Sequence, residues 1–419
     1  MVKTTKMNEN LKRWLIVAAV AFGYFVDLYD LLLFGAIRSP SLKELGLEGE
    51  NAIDESSWLM NITVIGMLVG GFTWGIVADR KGRITVLFAS VLTYSLANIA
   101  NAFVQDIFSY EVCRFISGFG LAGEFGVGLT LVSEILPEKH RTYAGIVVSA
   151  FGLMGAVVAG VLAYIFSGQT ILNMSSWRFL FIVGGGLGLL ALIFRKYATE
   201  SEVFEQSKFK RTTPSYFLLF ASFKRMRRFA YCFLVGAPIF VIIGILIIYA
   251  PEFALAQGVR GVSASVAIIW CYSSIAVGDI VGTFASKFFK TRRGVLFAFL
   301  LVQITAILTY YYFPVTTATS FYLKTSFLGL SIGSWGTLAL NSVEQFGTDF
   351  RATVASAVPN LVRVWLVPMS VIYVGLKPSM GMNMASLIPF AISFSLAFLA
   401  LWRLKDNFEK NLNYAEETR

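Results

Sequence analysis

The sequence has 419 residues, of which 56% are hydrophobic and only 14% are charged, and its mean hydropathy is +0.69. This composition excludes an ordinary soluble globular protein and indicates that most of the chain lies in a lipid bilayer. The net charge of +10 could suggest a nucleic-acid partner. The basic residues, however, cluster in the loops on one side of the predicted helices, which the positive-inside rule explains without any nucleic acid.

Twelve apolar stretches follow one another along the chain, each close to the roughly 20 residues that a helix needs to cross about 30 Å of hydrocarbon. Backbone polar groups find no water in lipid, so the stretches are predicted to be helices and the protein an all-α membrane protein. The predicted transmembrane helices are 14–37, 57–78, 84–104, 107–135, 143–167, 176–195, 229–256, 262–286, 294–313, 319–343, 353–374 and 380–403.

Basic residues precede the first stretch and follow the second, sixth, eighth and twelfth stretches, as Arg80, Lys287 and Arg403 illustrate. The positive-inside rule therefore places these loops and both termini in the cytoplasm. We expect a monomeric, multi-pass protein of a bacterial cytoplasmic (inner) membrane.

One polar segment, 196–228, interrupts the hydrophobic pattern and is predicted to be a cytoplasmic linker. It separates an N-terminal half (1–195) from a C-terminal half (229–403), which a cytoplasmic tail (404–419) follows. The halves share motifs at nearly constant offsets. For example, Gly71 and Gly75 in the first half correspond to Gly278 and Gly282 in the second. The sequence therefore predicts two related six-helix pseudo-repeats.

The stretch from Gly75 to Arg83 resembles the cytoplasmic signature that follows the second helix of the major facilitator superfamily. The segment from Arg114 to Gly123 is similar to the fourth helix of its sugar-porter and metabolite:proton symporter branches. The resemblance implies the major facilitator fold and secondary active transport by alternating access.

The repeated cytoplasmic motifs predict a latch that forms in one conformation and breaks in the other. Asp79 ends a predicted helix, where a carboxylate is disfavoured unless a cation such as Arg141 or Arg83 lies nearby. The alternative is that these charges only set the topology. The predicted latch residues are Gly75, Asp79, Arg83, Glu134, Arg141, Glu344 and Arg351.

Ionisable residues inside apolar stretches are costly and therefore indicate function. Asp27 and Asp30 lie three residues apart on one helical face, and two adjacent carboxylates in a low-dielectric cavity cannot both ionise cheaply. The only histidine, His140, lies in a cytoplasmic loop, so carboxylates are expected to carry the protons. The predicted proton-coupling residues are Asp27, Asp30, Arg114 and Glu124.

The resemblance to sugar porters also implies that Asp27 and Arg114 form a protonation-sensitive pair. The alternative is that Glu111, three residues before Arg114, simply neutralises it.

Arg363 lies in an apolar stretch without an acidic neighbour on its own helix. It is expected either to pair with an aspartate of another helix or to bind an anionic substrate. The segment that begins at Tyr249 resembles the outer gate of metabolite:proton symporters. The predicted substrate-binding residues are Arg363, Asn360, Tyr29, Trp335, Tyr249 and Asp279.

Motifs of nucleotide-driven pumps and of intramembrane hydrolases are absent from the sequence, so we expect neither an enzyme nor a cofactor. The three cysteines fall inside predicted helices, which argues against a metal cluster. The sequence predicts proton-coupled uptake of a small organic anion or polar metabolite. The alternatives are a larger carboxylate such as a siderophore, a sugar or an amino acid as substrate, an exporter, and a non-transporting membrane sensor.

Overall fold

The computed structural model describes residues 9–124, 126, 128, 131–132, 135–136, 138–195, 219–347 and 350–408. Within these residues the chain is helical except for loops and one small hairpin, in which β1 (Thr170–Ile171) pairs antiparallel with β2 (Met174–Ser175). The predicted all-α membrane architecture is therefore confirmed, because apolar helices satisfy their own backbone hydrogen bonds in lipid.

The helices of the N-terminal half are α1 (Glu9–Glu44), α2 (Gly49–Lys81), α3 (Arg83–Asn101), α4 (Ile107–Leu121), α5 (Glu138–Ile165) and α6 (Ser176–Arg195). The main neighbours are α1 with α5, α2 with α4, and α3 with α6. The predicted linker lies outside the described residues up to position 218.

The helices of the C-terminal half are α7 (Phe223–Val235), α8 (Ala237–Val241), a π-helix (Ile242–Ile247), α9 (Ala250–Ala256), α10 (Ala264–Phe288), α11 (Arg292–Tyr312), α12 (Ala318–Ile332), α13 (Trp335–Glu344), α14 (Arg351–Val364) and α15 (Leu366–Arg403). The seventh and tenth predicted helices are thus broken rather than continuous. Pro238 and Pro251 lie at breaks in the seventh, since proline removes a backbone donor.

Eight helices among the described residues are long and apolar enough to cross a membrane. A ninth is obtained if the bent pair Phe223–Val235 and Ala237–Ile247, with a bend of 42°, counts as one crossing. The stretch Thr353–Arg403 is one of these eight helices, although it has 51 residues. Within it, Gly381 has a non-helical φ of 72°.

Close helix packing occurs at equivalent places in the two halves. A Cβ atom on Gly118 of α4 would lie 1.9 Å from the carbonyl oxygen of Thr63 on α2. A Cβ atom on Gly329 of α12 would lie 2.2 Å from the carbonyl oxygen of Cys271 on α10. Only glycine permits the helices to approach so closely. In lipid no hydrophobic effect drives helices together, so their association depends on such tight van der Waals contact. The halves meet mainly where α5 packs on α10 and α2 packs on α14.

Candidate functional site

A buried polar cluster lies inside the N-terminal half, around Asp30 of α1. Asp30 is fully buried, and its Oδ2 atom accepts a hydrogen bond from the Asn98 amide of α3. Arg114 of α4 is also buried, and its Nε atom donates to the Thr63 hydroxyl at 3.0 Å. Asp30 and Arg114 interact electrostatically. Helices α1, α2, α3 and α4 therefore bring a carboxylate and a guanidinium together in a low-dielectric interior.

Each charged group of this cluster keeps a polar atom without a protein hydrogen-bond partner. These atoms are Oδ1 of Asp30 and Nη1 of Arg114. No ion pair joins the two groups, although both belong to the described residues. A buried charge without a close partner is costly, so the arrangement can respond to the gain or loss of one proton.

Asp30, rather than Asp27, is the carboxylate that interacts with Arg114. Asp27 is buried and instead interacts electrostatically with Tyr24, one turn earlier on α1. The role of an Asp27–Arg114 pair stays a prediction. In the described conformation Asp30 is the aspartate that interacts with Arg114, and it differs in direction from Asp27 by about 60° around α1. Glu111, the alternative neutralising group, accepts a hydrogen bond from Trp58 at 2.8 Å.

A second cluster surrounds Arg363 of α14, where the two halves meet. Arg363 is buried, and Tyr24 of α1 interacts with it electrostatically. Its Nη1 atom donates to Oδ1 of Asn360 at 3.4 Å, and its guanidinium lies 5.6 Å from the ring centre of Phe240. Its Nε atom has no protein partner. Among the described residues no carboxylate forms an ion pair with Arg363.

Of the other predicted residues, Asn360 contacts Arg363 directly and Trp335 is connected to it through Phe240. The Trp335 ring of α13 packs edge-on against Phe240 at 5.8 Å between ring centres, and its indole N–H has no protein partner. The Asn360 amide donates to the carbonyl oxygen of Ala122 at 3.3 Å, which joins α14 to the N-terminal half. Arg363 and Trp335 thus each lie within 6 Å of the ring centre of Phe240 and each keep one unpartnered N–H donor.

Three predicted substrate residues have other partners. Tyr29 donates to the carbonyl oxygen of Leu180 at 3.1 Å, inside the N-terminal half. The Tyr249 hydroxyl lies 2.5 Å from that of Ser57 near the start of α2. Asp279 accepts a hydrogen bond from the backbone N–H of Gly336 at 2.6 Å. Their polar groups are therefore committed to the protein.

Polar contacts join the two halves near the C-terminal end of α1, which the predicted topology puts at the outer end of the interface. Arg38 of α1 forms an ion pair with Glu252 of α9 and lies 4.5 Å from the ring centre of Tyr249. Ser370 of α15 donates to Asn61 of α2 at 2.7 Å. The sequence analysis does not identify Arg38 as a functional residue. Its partner lies 214 positions away, so no local spacing signals the pair.

The predicted cytoplasmic latch is described only in part. Glu134 and the side chains of Asp79 and Arg141 lie outside the described residues. Glu344 forms an ion pair with Arg292 of α11 at 3.2 Å and also interacts electrostatically with Arg351. In the N-terminal half, Glu124 accepts a hydrogen bond from Ser90 of α3 at 2.8 Å.

The comparisons with known proteins agree with this architecture. The model of the Major Facilitator Superfamily matches residues 20–366. A putative metabolite transport protein of Haemophilus influenzae is 27% identical over 86% of this chain and 88% of its own length. The niacin transporter NiaP of Acinetobacter baylyi is 32% identical, over 43% of this chain and 39% of its own length. The proton:xylose symporter XylE shares the fold, with a TM-score of 0.74, 16% identity and coverage of 97% of this chain and 98% of that chain.

Proposed function

The chain belongs to the major facilitator superfamily, and we propose that it takes up a small organic anion together with protons by alternating access. Arg363 carries the proposal. Its guanidinium is buried between the halves, it has no ion-pair partner among the described residues, and its Nε atom is unpartnered. A buried guanidinium without a counter-charge is costly, whereas a ligand carboxylate would neutralise it and accept its N–H groups.

The surroundings of Arg363 favour an anion with a flat, apolar body. The Phe240 ring lies near both the guanidinium and Trp335, and Tyr24 of the N-terminal half interacts with Arg363. Aromatic walls with a few polar atoms suit a ligand that is charged at one end. Niacin, which the relative from Acinetobacter baylyi transports, has this shape.

Proton coupling is assigned to Asp30 and Arg114. In the described conformation their unpartnered atoms, Oδ1 and Nη1, leave the two groups close but unpaired. Loss of a proton from Asp30 would draw Arg114 from Thr63 toward the carboxylate. That movement would shift α4 against α1, which supplies a physical link between proton transfer and rearrangement.

The finer topology is also part of the proposal. Twelve crossings result if the broken seventh and tenth segments each count once, α4 crosses, and the stretch from Thr353 to Arg403 is divided at Gly381. The basic loops then place both termini in the cytoplasm of a bacterial inner membrane. The working unit is taken as a monomer.

Ligand binding to the purified protein tests the anion site. We would measure binding of nicotinate and benzoate and of their neutral amides. The carboxylates are expected to bind and the amides are not, because only a carboxylate neutralises Arg363. Replacement Arg363→Gln removes a charge-assisted hydrogen bond worth about 1.5–3 kcal/mol, so the carboxylate Kd should rise about 10- to 100-fold.

Arg178→Gln is the matched control. Arg178 is an arginine that does form an ion pair, with Glu44 at 2.8 Å, and both residues belong to the N-terminal half. Carboxylate binding should be unchanged in this variant. Equal binding of acid and amide, or full affinity in Arg363→Gln, would contradict the proposed anion site.

A further inference from the structure

The tenth transmembrane segment is broken at Gly333 and Ser334, between α12 and α13. A helix that begins inside the membrane exposes backbone N–H groups that need acceptors. Ser334 occupies the N-cap position, but its side chain makes no capping hydrogen bond. The start of α13 therefore depends on an acceptor from another helix.

Asp279 of α10 is that acceptor. Its Oδ1 atom accepts the N–H of Gly336, the second residue of α13, at 2.6 Å. A carboxylate also suits the positive end of the helix dipole. The geometry requires small residues, because a Cβ atom on Gly336 would lie 3.0 Å from Oδ1 of Asp279, and one on Gly333 would lie 2.4 Å from the Gly278 backbone.

Trp335 is the residue that this cap holds in place. It is the first residue of α13, adjacent to Gly336, and its ring packs on Phe240 beside Arg363. Its unpartnered indole N–H is the second free donor of the anion site. Displacement of the start of α13 would move this donor directly.

We propose that Asp279 is a positioning residue, which caps α13 across the helix interface and thereby fixes Trp335 in the anion site. The identity of the ligand rests on the proposed function. The cap itself does not. It gives Asp279 an indirect part in substrate recognition, through Trp335, rather than contact with the substrate. Trp335 would bind a second acceptor of the ligand, such as a ring nitrogen or hydroxyl.

Tryptophan fluorescence of the purified full chain, without ligand, tests the cap. The chain has eight tryptophans, so the signal of Trp335 is taken as the difference between each protein and its Trp335→Phe derivative. In Asp279→Ala the Trp335 signal should shift to the red, and acrylamide should quench it at least two-fold more strongly. In Asp279→Asn, which keeps an oxygen acceptor, both changes should be clearly smaller.

Thr283→Val is the matched control, because Thr283 lies one turn further along α10 and lines the same cleft as Asp279. It makes no capping bond to α13, so this variant should leave the Trp335 signal unchanged. An unaltered Trp335 signal in Asp279→Ala, or equal changes in Thr283→Val, would overturn the proposal.

The second readout is affinity for nicotinate and benzoate. Loss of a helix cap changes the equilibrium for correct positioning of the start of α13 about five-fold. The Kd of the carboxylate should therefore rise about five-fold in Asp279→Ala and less in Asp279→Asn. The maximal transport rate should change less than KM. If neither carboxylate binds even the unmodified protein, the proposed function fails, while the fluorescence result still decides whether Asp279 positions Trp335.

Discussion

Replacing Arg38 by methionine should open the outer end of the interface between the halves. Arg38 pairs with Glu252, donates to the carbonyl oxygen of Ile248 at 3.2 Å and lies over the Tyr249 ring. All three partners belong to the C-terminal half, whereas Arg38 belongs to α1. Methionine keeps much of the apolar stem but removes every one of these polar contacts, so only the closed outer end loses stability.

The magnitude follows from burial. Removing one partner of a buried ion pair costs about 3–5 kcal/mol, because the remaining charge is left unpaired. The Glu252 side chain is 23% exposed, so water screens part of that cost. We expect about 2 kcal/mol, which is roughly a 30-fold shift in the equilibrium between closed and open outer ends.

Cysteine labelling from outside the membrane measures this shift. Val64 lies three residues after Asn61, on the face of α2 that meets α15, and about 10 Å deeper than Ser57. In a variant without the three native cysteines, Val64→Cys should react with an impermeant maleimide about 30-fold faster when Arg38→Met is added. Glu252→Gln should raise the labelling rate of Val64→Cys by about as much as Arg38→Met does.

A double-mutant cycle separates the ion pair from indirect effects. The double variant Arg38→Met with Glu252→Gln should label no faster than the more affected single variant. Arg178→Met, which breaks an ion pair within the N-terminal half, should leave the rate unchanged. Unaltered labelling in Arg38→Met, or fully additive effects in the double variant, would refute the reasoning.

Three further outcomes are expected. Asp30→Asn should abolish proton-driven accumulation into vesicles but retain substrate exchange, and accumulation that survives in Asp30→Asn but is lost in Asp27→Asn would assign the proton to the other carboxylate. Gly118→Ala should prevent close packing of α2 on α4 and lower the thermal unfolding temperature well below that of Gly186→Ala, whose added Cβ atom meets nothing within 4 Å, as a dye-based melting assay would show. For the topology, an impermeant maleimide should label Ser379→Cys in intact cells and Lys290→Cys only after permeabilisation, so early labelling at position 290 would contradict the twelve-crossing arrangement.

The sequence predicted what depends on composition and local spacing. Apolar stretches of sufficient length have no alternative to helix in lipid, so the all-α architecture followed from hydropathy. Arg363 became a candidate for the same reason, since a lone cation in an apolar stretch is conspicuous, and its role stays a prediction. The break of the tenth segment was missed because Gly333 and Ser334 can continue a helix, and only their backbone conformation in the structure shows that they do not.

Helix rotation explains the remaining differences. Helical spacing alone puts Asp27 and Asp30 on one face of α1. Their neighbours depend on how α1 packs in three dimensions. Asp30 faces Arg114 and Asn98 inside the N-terminal half, and Asp27 lies near Tyr24. No spacing rule distinguishes these directions, because each partner is contributed by a different helix. The same limit applies to Arg38 and Glu252.

Helix α1 connects the three functional contacts of the proposed cycle. Tyr24 touches the Arg363 cluster, Asp30 interacts with Arg114, and Arg38 closes the outer end. Tyr24 and Asp30 are six residues apart, which is about 9 Å along a helix. Because α1 is continuous from Glu9 to Glu44, a tilt or rotation that follows proton transfer at Asp30 must also move Tyr24 and Arg38. Coupling between proton, anion and outer gate then needs no separate chain of contacts, only the rigidity of one helix.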